Sequence, residues 1–220
     1  MGNKTISKFE QLHKAVQKYK GETVIFRGVK AVKYKLQPRI GRLNLKTDDL
    51  EKEEQTVLRL FREQAVPYLN FWHANDWEWL AIAQHHGLPT RLLDWTRNPL
   101  VAAFFAVEQE HDGDSLIYYF KHNKYIVTKK NKNPFDIKTV GKFIPSHVTT
   151  RITAQTGLFT IHPNPKEIYK SECIDTIRIK AEFRSCLKNI LHSYGINKAS
   201  LFPDLDGLAE HITWRRSTIY

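Results

Sequence analysis

Polar residues of the kind that bind phosphates or move protons recur inside apolar blocks of this sequence: IFRG at 25–28, QHHGLPTRLLDWT at 84–96, QTGLF at 155–159 and SLFPDLDGL at 200–208. An unpaired buried charge is costly, so these groups must satisfy one another or a ligand. Arg27 closes an apolar strand and precedes a glycine. Its fixed fork of donors suits a phosphate or the ribose and amide oxygens of a nucleotide, or else a structural pair with Asp94, Asp204 or Asp206. His85 and His86 close a helix, and adjacent helical positions point about a hundred degrees apart. One can therefore face a pocket while the other faces solvent, and they do not form a shared metal site.

Asp94 and Thr96 flank Trp95. Either they cap a turn while Trp95 fills the core, or the strand end is one wall of a cleft with Trp95 or Phe105 beneath a planar ring. Asp204 and Asp206 are spaced for acid–base work or a divalent ion, yet Pro203 and Asp204 also make a good first helical turn, and that structural reading leads. No GxSxG, HExxH, P-loop or GxGxxG pattern occurs, and no metal is expected. Cys173 and Cys186 have no ligand spacing and read as small, buried, reduced side chains.

The elements that must position these groups follow from periodicity and punctuation. Ser7 with Glu10 reads as a capping box opening a helix over 7–20 that Gly21 ends, and TVIFRG reads as a buried strand. A basic loop at 29–46 leads to a helix from Asp48 to about Tyr68, with Leu50, Val57, Leu60, Phe61 and Ala65 on one face and Pro67 ending it near Val66. Asn75 and Glu78 cap a third helix that stops at Gly87. RLLDW reads as a strand, Asn98-Pro99 as the start of the buried helix LVAAFFAVEQ, and SLIYYF as a strand with YIVT beside it. Residues 129–150 read as an irregular basic loop. TGLFTIH and CIDTIRI complete the strands, KAEFRSCLKNILHSY is helical up to Gly195, and a last helix runs from Pro203 to about Ile212. Helices and strands without regular βαβ alternation predict an α+β fold: one domain over 1–220, with the first helix as an N-terminal extension and a core over about 22–212.

The 220 residues carry 41% hydrophobic and 12% aromatic side chains, which excludes wholesale disorder, and no apolar run is long enough to span a bilayer. The sequence opens without an apolar h-region, so a cytoplasmic protein is expected. A formal charge of +11 favours polyanionic partners. Lys129, Lys130 and Lys132 are the candidate nucleic-acid contacts.

Taken in order, the blocks resemble the FRG domain family, named for Phe26, Arg27 and Gly28 here. Tyr34, Leu36, Pro38 and Arg39 fit its continuation, QHHGLPTRLLDWTRNPLVAAFFA its long central motif, and QTGLF and SLFPDLDGL its late motifs. The resemblance implies a bacterial or prophage protein, with a role in phage defence or toxin-like activity by association. The order of an arginine-bearing strand, a strand ending in a small hydroxyl residue and an AxxFA helix is also similar to the ADP-ribosyltransferase fold. That similarity implies a split mixed or antiparallel sheet flanked by helices, with NAD in the cleft and a nucleic-acid or protein acceptor. Arg27 would hold the NAD phosphate or ribose, Asp94 and Thr96 would support the wall, Tyr34 or Trp95 would stack on nicotinamide, and His85 or His86 would line the pocket. Gln155 stands where that fold carries a catalytic glutamate, so Asp204, Asp206 or Glu108 would have to substitute. A non-catalytic nucleic-acid-binding module and a metal-dependent nuclease are the alternatives.

Overall fold

The computed structural model describes residues 4–18, 24–45, 48–69, 75–121, 124–146 and 149–217. Among them, seven strands form one mixed sheet in the order β1-β7-β4-β2-β3-β6-β5: β1 (Lys4–Ile6), β2 (Val24–Val29), β3 (Leu92–Thr96), β4 (Ser115–Lys121), β5 (Gly141–Phe143), β6 (Gly157–Ile161) and β7 (Ile174–Ile179). Only β1 and β7 run parallel. The fold is α+β.

The sheet is continuous but not uniform. β2 pairs with β4 along its whole length, whereas it meets β3 at a single pair, Phe26 with Thr96. Beyond that pair the two central strands part, and Arg27 is the next residue.

Helices cover both faces. α1 (Phe9–Gln17), α4 (Pro99–Val107) and α6 (Arg184–Ser193) pack on one side around Phe26, Ile117, Ile177 and Leu187. α2 (Leu50–Ala65) and α3 (Asp76–His85) cover the β3-β6-β5 end around Trp77, Trp79, Leu92 and Ile161. α5 (Thr150–Ala154), α7 (Lys198–Leu201) and α8 (Leu205–Arg216) complete the chain. α4 starts as its sequence demands, with the Asn98 side chain accepting from the Leu100 amide and Pro99 in the first turn. Its alanines let it approach β2 closely: a Cβ added at Gly28 would lie 1.8 Å from the Ala102 carbonyl oxygen. Gly28 is therefore required by packing rather than by a turn.

Several expectations are corrected. The Ser7–Glu10 box does not form: β1 precedes the helix, Gln11 Oε1 accepts from the amides of Ser7 and Lys8, and α1 spans Phe9–Gln17. The expected stop at Gly21 lies outside the described residues. β1 joins the sheet beside β7, and Leu12 and Ala15 belong to the α4 core. YIVT contributes only an isolated bridge from Tyr125 to Lys142, and the segment expected to be irregular carries β5, with Lys142 buried. The hydrophobic face of α2 is also rotated: Leu58 and Ala65 are buried with Glu54, while Leu60 is exposed. The cause is an ion pair. Glu54 accepts from the Arg91 amide at 2.8 Å and from Arg91 Nε at 2.9 Å, both side chains are at most 2% exposed, and the Arg91 guanidinium lies 4.5 Å from the Phe135 ring. Cys173 and Cys186 are exposed free thiols, not buried ones. No helix among the described residues is long and apolar enough to cross a membrane.

Candidate functional site

Where β2 and β3 part, a cleft of about 400 Å³ opens, walled by both strands, the end of α3, the last turn of α4 and the α5–α7 region. Alternation along β2 sends Phe26 into the α4 core and Ile25 and Val29 into the opposite one, so Arg27 points away from α4. Arg27 Nη1 donates to the Asp94 carbonyl oxygen at 2.7 Å and lies 3.3 Å from Asp94 Oδ2. Of the three carboxylates open to it on sequence grounds, Asp94 is the partner. The pair is incomplete. Arg27 Nε is buried with no hydrogen-bond partner, and the side chains of Arg27 and Asp94 keep 22% and 55% exposure.

The long central motif wires this pair in place. Gln84 Nε2 donates to Asp94 Oδ2 at 2.9 Å, Thr90 Oγ1 donates to Gln84 Oε1 at 2.7 Å, and the Leu92 amide donates back to Thr90 Oγ1. Asp94 Oδ2 is thereby shared between Arg27 and Gln84, while Oδ1 accepts no hydrogen bond among the described residues. Trp95 is buried and donates from Nε1 to Thr160 Oγ1 at 2.8 Å. The Thr160 hydroxyl also forms a hydrogen bond with His162 Nε2 at 2.9 Å, its direction set by the ring tautomer. Burial, and then the Arg27 charge, push the His162 pKa down to about 3.

The opposite wall comes from the late motifs. Thr96 Oγ1 donates to the Gln155 carbonyl at 2.7 Å and meets Thr156 Oγ1 at 3.0 Å. Thr156 holds φ 46°, a left-handed conformation unusual for a β-branched residue and costing on the order of 1–2 kcal/mol. Its hydroxyl bonds with Thr96 and Gln155 fix it there. The Gln155 side chain donates to the Leu201 carbonyl at 3.0 Å, tying α5 to α7. Phe202 then forms part of the wall, with the Arg151 guanidinium 5.1 Å and the Lys198 ammonium 4.0 Å from its ring. Gly207 allows α8 to start there, since a Cβ would lie 2.1 Å from the Phe202 carbonyl oxygen.

Residues 22–115 match the FRG domain family. Over that stretch the chain is similar to the FRG domain family. No curated protein and no solved structure matches it. The matched stretch supplies Arg27, Tyr34, Gln84, His85, Asp94, Thr96 and Glu108, while Arg151, Gln155 and Phe202 complete the cleft from beyond it.

Of the candidate residues, Arg27, Tyr34, His85, Asp94, Trp95, Thr96 and Gln155 all border this one cleft. His86 is exposed, its ring edge-on to His85, and does not border it. Asp206 is exposed in the first turn of α8, also outside the cleft. Asp204 caps α8 by accepting from the Gly207 amide and pairs with Arg151; the Gly207 bond first, then Arg151, lowers its pKa. Lys129, Lys130 and Lys132 are exposed between β4 and β5, away from the cleft. Burial, followed by His86 and Arg151, pushes the His85 pKa down to about 4, so the ring is neutral near pH 7. Sequence reasoning missed Gln84, Arg151, Lys30 and Phe202. Gln84 and Phe202 were visible within quoted motifs and Lys30 within the basic loop at 29–46; Arg151 carried no local signal. Among the described residues no group of three or more His, Cys, Asp or Glu is placed to hold a metal ion.

Proposed function

We propose that this chain is an FRG-type, ADP-ribosyltransferase-like protein that binds NAD in the split between β2 and β3 and acts on a nucleic-acid or protein acceptor, in phage conflict. The observation that carries the reading is the pairing of a half-satisfied arginine with a half-satisfied aspartate in an open cleft. Arg27 has donors to spare beside Asp94 Oδ1, an acceptor to spare. That combination complements a nucleotide, whose phosphate accepts and whose ribose hydroxyls donate.

When bound, NAD supplies a labile glycosidic bond: nicotinamide leaves with the bonding electron pair, and the acceptor nucleophile bonds to the ribose carbon and gives up its proton. The chain's own residues have defined tasks. Arg27 anchors the phosphate, and Asp94, oriented by Gln84, accepts from the ribose. Tyr34, 37% exposed at the mouth, offers a ring face for stacking. Neutral His85 can hydrogen-bond without adding charge. Gln155 positions the wall through Leu201 and Thr96, and Glu108 is the carboxylate at the far end, held 2.5 Å from Lys198 Nζ. Glu108 and Asp94, rather than Asp204 or Asp206, are thus the acids of the cleft.

A non-catalytic nucleic-acid-binding module is the second reading, favoured by the +11 charge and by the engagement of the Gln155 amide within the fold. The test is incubation with NAD labelled in its ADP-ribose part, together with nucleic acid or cell lysate. Label transfer by the wild type, lost in Arg27→Ala and in Glu108→Gln, is expected. Neither NAD consumption nor NAD binding by the wild type would sink the proposal.

A further inference from the structure

The segment joining β2 to α2 carries a charge pattern that folding alone does not call for. From Lys30 to Thr47 the sequence has six Lys and Arg and no Asp or Glu, the first acids being Asp48 and Asp49 just before α2. Ala31, Leu36, Pro38 and Ile40 turn inward and are buried, while Lys33, Lys35, Arg39 and Arg42 are exposed. The backbone is pinned from several sides: Tyr118 Oη donates to the Tyr34 carbonyl at 2.9 Å, the Tyr169 amide to the Leu36 carbonyl at 2.8 Å, and Gln37 Nε2 to the Lys166 carbonyl at 2.8 Å. The cations therefore stand on a fixed frame, so little ordering entropy opposes ligand binding.

Lys30, Lys33, Lys35, Arg39 and Arg42 take part in none of the ion pairs among the described residues. Two have carbonyl contacts only: Arg39 Nη1 with Gly87 at 2.8 Å and Lys35 Nζ with Val32 at 3.4 Å. Burial and then the neighbouring Arg27 and Arg39 charges lower the Arg42 pKa, which places three guanidinium groups within mutual repulsion. Of these three only Arg27 has a counterion among the described residues, Asp94, and the excess positive charge favours a polyanion. Lys30 and Tyr34 border the cleft, and Arg42 is within electrostatic reach of Arg27 and Tyr34 there, so the series adjoins the cleft mouth.

We propose that Lys30, Lys33, Lys35, Arg39 and Arg42 form a phosphate-binding track that guides a single-stranded nucleic acid to the mouth of the cleft. A duplex keeps its bases inside the stack, whereas the base of a single strand is free to enter a cleft of about 400 Å³. The track replaces Lys129, Lys130 and Lys132, which lie away from the cleft, as the main nucleic-acid contact. Guidance to the cleft rests on the nucleotide reading of the site; strand binding by the track does not.

The experiment measures fluorescence anisotropy of a labelled 15-nucleotide single strand against salt, without NAD, for the full chain. The wild type should bind with a steep salt dependence. The triple variant Lys33→Gln, Lys35→Gln, Arg42→Gln should lose about tenfold or more in affinity at low salt, and its log–log salt slope should be shallower by about two, at roughly 0.7 per neutralised phosphate contact. Lys129→Gln, Lys130→Gln, Lys132→Gln should change affinity less than the track variant. All six side chains are exposed, and an unchanged thermal melt would verify that each variant folds. The proposal is overturned if the track variant binds like the wild type, if the 129–132 variant loses more, or if a duplex of equal length binds as well as the strand. Because NAD is absent, failure here and failure to bind NAD are separate results.

Discussion

Two arginines of this domain sit within a few ångströms of a carboxylate on a neighbouring element, and they meet opposite fates. Arg91 is sealed beneath α2: both oxygens of Glu54 are engaged by Arg91, and the two side chains are at most 2% exposed. Arg27 shares one oxygen of Asp94 with Gln84 in an open cleft, with its Nε unpartnered. Arg91 Nη1, like Arg27 Nε, is buried without a hydrogen-bond partner, so the two pairs differ in access rather than in completeness: the first is sealed from solvent and the second lies open to it. A ligand can reach only the pair that solvent reaches, and on that ground Arg27 rather than Arg91 is placed to bind one.

Breaking each pair should separate the two roles. Glu54→Ala leaves the Arg91 charge buried without its counterion and should destabilise by about 3–5 kcal/mol, read from urea unfolding. A loss under about 1 kcal/mol would mean that water reaches Arg91 and that the pair is not sealed. Gly28→Val tests the frame that holds Arg27. With the α4 backbone 1.8 Å from the first added carbon, a loss of about 2 kcal/mol or more is expected in the same assay. Arg27→Ala, by contrast, should cost no more than about 1.5 kcal/mol of stability, since it gives up two partly exposed hydrogen bonds.

The buried His162 also gives the fold a pH signature. The His162 pKa in the fold, about 3, is below its ordinary value, so above pH 6.5 neither folded nor unfolded chains carry the proton. Between 6.5 and 3 only the unfolded chain binds it, and stability falls as pH drops, by at most about 1.4 kcal/mol per pH unit. His85 contributes in the same direction down to about pH 4, discounted because its ring is partly exposed. His162→Gln should flatten the fall measured between pH 6.5 and 5, and an unchanged slope would show that burial does not hold the ring neutral.

The difference between the two arginines also marks how far sequence reasoning reaches. The IFRG and central blocks announced a polar cluster because they are contiguous: Gln84, Thr90 and Asp94 are bound to one another within ten residues. Helix starts at Asn75 and Asn98 were legible for the same reason, each cap lying two or three residues from the amide it satisfies. What stayed hidden was the choice of partner across the chain. Arg91 and Glu54 are 37 residues apart, and their pairing rotates α2 away from the face that its leucines suggest. Arg151 and Asp204 are 53 apart, so an acid that looked available for chemistry is already engaged as a helix cap and counterion. β5 was missed because Lys142 and Gly141 break its apolar pattern, although Lys142 is buried with its ammonium 4.6 Å from the Tyr125 ring.

The central claim is that Arg27 anchors a nucleotide in the open half of this comparison. Isothermal titration of NAD into the wild type, Arg27→Ala and Arg91→Lys tests it most directly, with folding of each variant checked by circular dichroism. Binding by the wild type, lost by tenfold or more in Arg27→Ala as expected for one charge-assisted phosphate contact of about 1.5–3 kcal/mol, and retained in folded Arg91→Lys, is the predicted result. Equal affinity in the wild type and Arg27→Ala, or no binding by either, would contradict it.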